Sequence, residues 1–189
     1  MKKKIAIIGS TGSIGKTLIN IIEKNKKNFE IKLLTANKDY KSLFKQAKKF
    51  KVKNLIITDL NSFKTFKKYN KNFDIKIYNN FDCLENIFKQ KIDYTMSSIT
   101  GIQGLEPTIK MIKFTKKIAI ANKESIICGW NIIKKELKKN KTKFIPVDSE
   151  HFSLWFGLKN LNPLNVEKFI LTASGGPLYK TPLNNFKKI

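Results

Sequence analysis

The chain contains no arginine: all 38 of its basic residues are lysine, set against 14 acidic ones for a formal net charge of +24. Arginine is the side chain that forks onto phosphates and reads guanine edges, so its absence argues against a nucleic-acid-reading face in spite of the charge. The lysines are dispersed, as in Lys24-Asn25-Lys26-Lys27 and Lys48-Lys49-Phe50-Lys51, and are not gathered into a basic arm. They accompany asparagine, isoleucine and phenylalanine, whose codons are rich in A and T, so a biased genome accounts for the charge and the lysines read as solvated surface. Cysteine is scarce as well. Cys83 and Cys128 are too few and too far apart for a disulfide framework or a zinc knuckle, and both are expected to be partly buried thiols. No apolar run is long enough to span a membrane, and the first apolar segment starts so close to Met1 that no leader is expected before it. Together these exclusions predict a cytoplasmic protein with neither a membrane nor a nucleic-acid partner.

What is present begins at Ile5-Ala6-Ile7-Ile8, an apolar run that feeds into Gly9-Ser10-Thr11-Gly12-Ser13-Ile14-Gly15, after which apolar residues recur at helical intervals. The pattern predicts strand, tight turn and helix. Glycines at such a turn allow dihedrals closed to other residues and let phosphates approach the main chain, and the free amides of the helix's first turn offer donors and positive potential. Gly-x-x-Gly-x-x-Gly is a variant of the dinucleotide fingerprint. The same letters approach the phosphate loop of nucleotide hydrolases, with Gly15-Lys16-Thr17 as its last three residues, but Ser10 stands where that motif needs its first glycine. A purely structural turn is the third reading.

Further along, Phe29 to Thr35 reads as a second strand whose tip carries Ala36-Asn37-Lys38, with Asp39 after it. In a dinucleotide fold an acidic residue at this tip holds the ribose hydroxyls of NAD, whereas a neutral donor and a cation suit the extra phosphate of NADP. The tip therefore favours NADPH, with Asp39 as the counter-indication and a plain surface lysine as the other reading of Lys38. Lys41 to Phe50 has a helical apolar stripe, Asn54 to Thr58 is a strand, Phe63 to Tyr69 a helix, Ile75 to Ile77 a short strand, Cys83 to Lys89 a helix and Asp93 to Ser98 another strand. Gly101 to Thr108 follows at the strand's carboxyl end, and Lys117 to Ala121 is again a strand, ending in Asn122-Lys123-Glu124-Ser125. Asn122, Lys123 and Glu124 either face a ligand or cap a helix. The alternation predicts an α/β, Rossmann-like, doubly wound and mostly parallel sheet. With 41% hydrophobic residues in 189, the chain can hold one large domain or one domain and the start of another.

Phe144 to Val147 delivers Asp148-Ser149-Glu150-His151. Two carboxylates flanking a hydroxyl offer hard oxygen ligands for magnesium or manganese, with a further ligand needed from elsewhere. His151 is either that ligand or structural. Phe152, Leu154, Trp155 and Leu158 are expected to form a buried helical stripe, and Val166 to Thr172 a last strand. Ala173-Ser174-Gly175-Gly176-Pro177 is then a phosphate nest or an ordinary turn, and Thr181 to Ile189 the start of a helix.

Taken together, Gly9 to Gly15, Gly101 to Thr108, Ala121 to Ser125, Pro146 to His151 and Ser174 to Pro177 make the chain resemble the 1-deoxy-D-xylulose 5-phosphate reductoisomerase family over essentially its whole length. The resemblance implies an NADPH-binding Rossmann-like domain over residues 1–147 and the beginning of an α+β catalytic domain over 148–189. It implies that Thr11, Gly12, Ser13 and Ile14 hold the pyrophosphate, Ala36, Asn37 and Lys38 the adenosine end, and Asn122 and Glu124 the nicotinamide side. Asp148 and Glu150 would bind Mg2+ or Mn2+, and Lys123, Ser149, Glu150 and Ser174 would touch the sugar phosphate substrate, with Lys123, Asp148 and Glu150 as the catalytic set. The implied reaction rearranges 1-deoxy-D-xylulose 5-phosphate and reduces the product with NADPH to 2-C-methyl-D-erythritol 4-phosphate, in a protein that is a homodimer at full length. Ala36 stands where family members often have glycine. At roughly half the family's usual length, the chain lacks a third metal carboxylate and is expected to be inactive alone. The alternatives are another NADP-dependent reductase of the semialdehyde dehydrogenase type, for which Cys128 is the available thiol, and a basic nucleic-acid-binding protein.

Overall fold

The computed structural model describes residues 1–70, 74–159, 161–162, 165–170, 182 and 185. Within these the chain forms two compact units, Met1–Asp148 and Ser149–Ile189.

In the first unit short apolar runs become strands and the amphipathic stretches between them become helices: β1 (Lys3–Ile8), α1 (Ser13–Lys24), β2 (Phe29–Ala36), α2 (Tyr40–Phe50), β3 (Asn54–Ile57), α3 (Leu60–Tyr69) and β4 (Lys76–Tyr78). Then follow α4 (Leu84–Ile87), β5 (Tyr94–Ser97), α5 (Leu105–Ile112), β6 (Lys117–Ile120), α6 (Lys123–Lys139) and β7 (Lys143–Pro146). All seven strands lie in one sheet of order β4-β3-β2-β1-β5-β6-β7, and every pairing is parallel. From β1 the chain builds outward through β2, β3 and β4, then returns to the other side of β1 to lay down β5, β6 and β7. The connections leaving the adjacent β1 and β5 tips thus run to opposite faces, which opens a crevice at the carboxyl edge.

The sheet is covered on both sides, so its strands are continuous apolar runs. Successive residues of β1 enter different cores. Ile5 and Ile7 pack with Ile19 and Ile22 of α1, Leu43 and Ala47 of α2, and Phe66 of α3. Ala6 and Ile8 pack with Leu84 of α4, Met111 and Ile112 of α5, and Ile133 and Leu137 of α6. Two-residue strand periodicity thus assigns each face its own helices. Pro146, which lacks a ladder donor, lies on the edge strand β7, where that lack is tolerated.

In the second unit α7 (Ser149–Leu158) is the described helix. None of its residues is buried, and Phe152 stacks on Phe156 with ring centroids 5.7 Å apart. This corrects the expected buried stripe: spacing defines which face would be covered, not what covers it. Residues 166–170 form no strand, because a strand exists through its ladder and these residues carry no ladder bonds among the described residues. Residues 171–181, with Ser174 and its glycines, lie outside the described residues, as does most of the expected terminal helix. Cys83 is buried as expected, but Cys128 is exposed, since it falls on the outer side of α6.

Candidate active site

At the carboxyl edge, between the β1 and β5 tips, is a cleft of about 600 Å³. One wall is the glycine loop. Gly9 has φ +83°, and a Cβ there would meet the Ser98 carbonyl carbon and oxygen at 3.0 Å, so the loop passes directly against the chain leaving β5. Ser98 Oγ donates to Ile8 O at 2.8 Å. Gly12 N donates to Gly9 O at 3.2 Å and closes the turn. Gly15 lets α1 lie on the loop, because a Cβ there would fall 2.3 Å from Gly9 O and 2.6 Å from Ser10 Cα. Gly12 caps α1 without a side chain, and the first helical bond runs from Lys16 N to Gly12 O. The N–H groups of Ser13, Ile14 and Gly15 therefore precede the ladder and offer donors to an anion. Thr11, Gly12, Ser13 and Ile14 all line the cleft.

Ala36 and Asn37 line it at the β2 tip, where Asn37 Nδ2 donates to Thr58 Oγ1 at 2.9 Å. Lys38 is exposed beside them and does not line the cleft. The two carboxylates nearby are engaged as helix caps: Asp39 Oδ1 accepts from Ser42 N at 3.0 Å, and Asp59 Oδ2 from Ser62 N at 2.8 Å. Hydrogen bonds from the Ser62 backbone and side chain hold the Asp59 carboxyl below the usual range, and the Lys38 charge adds to this. Thr58, Asn79, Asn80 and Phe81 complete this end of the cleft. Sequence reasoning missed them. The signal was available, since each follows β3 or β4 at the same edge that carries the β2 tip.

The opposite wall is made by Ser98, Ile99, Thr100, Gln103, Glu106 and Pro107. Glu106 pairs with Lys110 one turn on, at 2.7 Å. Behind this wall Asn122 is 3% exposed. Its Oδ1 accepts from Ser125 N at 2.9 Å, and its Nδ2 donates to the carbonyls of Ile99 and Gly101. The Asn122 amide is thus a helix cap and a brace for the cleft wall, and Asn122 is not among the residues that line the cleft. Lys123 and Glu124 are exposed on the first turn of α6 at the same edge but outside the cleft lining.

Asp148 follows β7, half-buried, in the first unit. Ser149 and Glu150 begin α7 in the second, where Ser149 Oγ donates to Glu150 Oε2 at 2.7 Å. Among the described residues no three His, Cys, Asp or Glu side chains gather as a metal site would require. No described helix is long and apolar enough to cross a membrane.

The model of the 1-deoxy-D-xylulose 5-phosphate reductoisomerase family matches residues 5–129, and that of the family's C-terminal domain matches residues 144–189. The chain belongs to the 1-deoxy-D-xylulose 5-phosphate reductoisomerase family. It is 60% identical to the reductoisomerase of Pelagibacter ubique over 189 residues, 99% of this chain and 49% of that one. It is 38% identical to that of a Wolbachia from Culex pipiens, over 99% of this chain and 48% of the relative. Among solved structures it is similar to the Zymomonas mobilis reductoisomerase in complex with NADPH, at TM-score 0.81 and 30% identity over 100% of this chain and 50% of that chain. A reductoisomerase structure with fosmidomycin and magnesium superposes at TM-score 0.81 and 25% identity, covering 96% and 48%. The chain spans about half the length of the reductoisomerases it matches. The semialdehyde dehydrogenase alternative gives way to this family, and Cys128 does not line the cleft.

Proposed function

We propose that this chain is the cofactor-binding part of a 1-deoxy-D-xylulose 5-phosphate reductoisomerase and binds NADPH in the cleft. The observation that carries the reading is the cleft itself, with a glycine loop and unladdered amides on one wall and the β2 tip at one end. Thr11, Gly12, Ser13 and Ile14 hold the pyrophosphate through main-chain donors. Ala36 and Asn37 receive the adenosine ribose, and Lys38 neutralises its 2′-phosphate. Asp39 Oδ1 is engaged as a cap, and turning the carboxylate to hold a pair of ribose hydroxyls, as an NAD-type carboxylate does, would cost that cap. The nicotinamide end lies toward Ser98 to Thr100, with Glu124 at the rim and Asn122 positioning the wall. Bound there, NADPH supplies a hydride.

The domain division follows the same reading, with residues 1–147 holding the cofactor and 148–189 beginning the catalytic part. Lys123 offers an ammonium to a phosphate or carbonyl oxygen of 1-deoxy-D-xylulose 5-phosphate, and Ser149, Glu150 and Ser174 contact the same substrate. Asp148 and Glu150 are hard oxygen donors that would hold Mg2+ or Mn2+, and the ion would supply Lewis-acid polarisation of the substrate's oxygens. The chain alone binds NADPH without turning over the sugar phosphate. The whole reductoisomerase forms 2-C-methyl-D-erythritol 4-phosphate as a cytoplasmic homodimer.

Thermal unfolding with cofactor tests the central claim. NADPH at 100 times its Kd stabilises the folded chain by about 2.7 kcal/mol, NADH at the same concentration by much less, and Lys38→Ala brings the two together. Equal stabilisation of the native chain by NADPH and NADH, or by neither, overturns the reading.

A further inference from the structure

Ser10 sits between the first two glycines of the loop and is fully buried. It meets a residue 36 positions away on α2: Ser10 Oγ donates to Gln46 Oε1 at 2.7 Å, and Gln46 Nε2 donates back to Ser10 O at 3.0 Å. A carbonyl oxygen only accepts, so Nε2 must face Ser10 O and Oε1 must face the hydroxyl. On its other side the same residue is held by Ser10 N donating to Thr35 O at 2.9 Å. The loop is thus braced from β2 and from α2 at one residue.

The consequence lies in the next peptide unit. A trans peptide points its C=O and N–H in opposite directions. With the Ser10 carbonyl held toward α2, the Thr11 N–H is turned away from α2. Thr11 lines the cleft, and its N–H has no hydrogen-bond partner among the described residues. We propose that Gln46 is a positioning residue of the cofactor loop, setting the Ser10–Thr11 peptide plane so that the Thr11 N–H is presented to the pyrophosphate of a dinucleotide. The proposal rests on the NADPH reading of the cleft and adds to it a residue that touches neither cofactor nor substrate. Neither the glycine spacing nor the β2 tip points to Gln46.

Three variants separate the contributions. Gln46→Ala removes both bonds, Gln46→Glu keeps an acceptor for Ser10 Oγ but offers no donor to Ser10 O, and Ser10→Ala keeps the bond to the carbonyl. NADPH affinity, read by titration of nicotinamide fluorescence, falls about tenfold in Gln46→Ala and at least as far in Gln46→Glu, the scale of one lost hydrogen-bonded brace. Ser10→Ala loses about threefold on the same scale. In the unliganded chain, amide hydrogen exchange at Ser10 and Gly12 rises in both Gln46 variants, while the amides of β5 and β6 exchange as in the native chain. Unchanged exchange at Ser10 and Gly12 overturns the proposal, and so does a uniform rise across the sheet, which marks a general packing role. If the native chain itself fails to bind NADPH, the cofactor reading and the positioning role both fall, whereas native binding that the Gln46 variants leave unchanged overturns the positioning role alone.

Discussion

Replacing Gly104 with alanine sets a methyl carbon 2.3 Å from Asn122 Nδ2 and 2.6 Å from Ile99 O, closer than real Cβ contacts come, so the Asn122 amide must leave its place. That amide caps α6 through Ser125 N and binds the carbonyls of Ile99 and Gly101. Losing the cap costs about 1 kcal/mol. Leaving each of two half-buried carbonyls without its donor costs about 1 kcal/mol more. Gly104→Ala should therefore destabilise the chain by about 3 kcal/mol through the lost Asn122 bonds and by about 1 kcal/mol more through the contact with Ile99 O, and Asn122→Ala, which deletes the same bonds, by about 3 kcal/mol. Because both changes remove the bonds of one amide, the double variant should lose about 4 kcal/mol, those bonds plus the remaining contact with Ile99 O, where independent sites would lose about 7. Urea unfolding of the native chain, the two single variants and the double variant measures all four values. Additivity to within about 0.5 kcal/mol would refute the claim that Gly104 is small to make room for Asn122. Since Ile99 and Thr100 line the cleft, NADPH affinity should fall in the single variants as well.

Three further predictions concern other parts of the first unit. Gly15→Ala drives a Cβ into the backbone of Gly9 and Ser10, atoms that cannot swing aside as a side chain does. It should cost about 3 kcal/mol in urea unfolding and abolish measurable NADPH binding; retention of both would show that α1 does not lie on the loop. At pH 8 iodoacetamide should alkylate exposed Cys128 and spare Cys83, whose thiol burial pushes up to about 11, and peptide mass mapping distinguishes the two. The folded state holds the Cys83 proton more tightly than the unfolded chain, whose thiol has the ordinary value of 9.0. That contribution to stability is therefore complete below the ordinary value and declines as pH rises from there toward about 11. Cys83→Ala should remove this part of the alkaline slope.

The features legible in the linear chain are those whose cause is local. Ile5 to Ile8 reads as a strand because four apolar residues precede a glycine turn, and Gly9, Gly12 and Gly15 announce that turn whatever surrounds it. Lys38 and Asp39 show the other case. As letters they pull the cofactor preference in opposite directions. The conflict eases once Asp39 is seen to cap α2 through Ser42 N, a geometry that depends on where that helix begins. Asn122 likewise reads equally well as ligand or cap until its three bonds are located. The buried stripe expected along α7 failed for a related reason: periodicity specifies a face and leaves its covering unspecified.

In the first unit the sequence by itself determined which segments are extended, which are helical and where a helix would begin with unladdered amides, since propensity, periodicity and glycine spacing act within a few residues. The tertiary structure decided that β1 lies between β2 and β5, and so that Thr58, Asn79 and Asn80 share a cleft with Gly12 and Thr100. It also decided that Gln46 braces Ser10 from 36 residues away. These are facts about neighbours, and neighbours are chosen by strand order and helix packing, where the free energy depends on which buried surfaces and hydrogen-bonding groups meet across the fold.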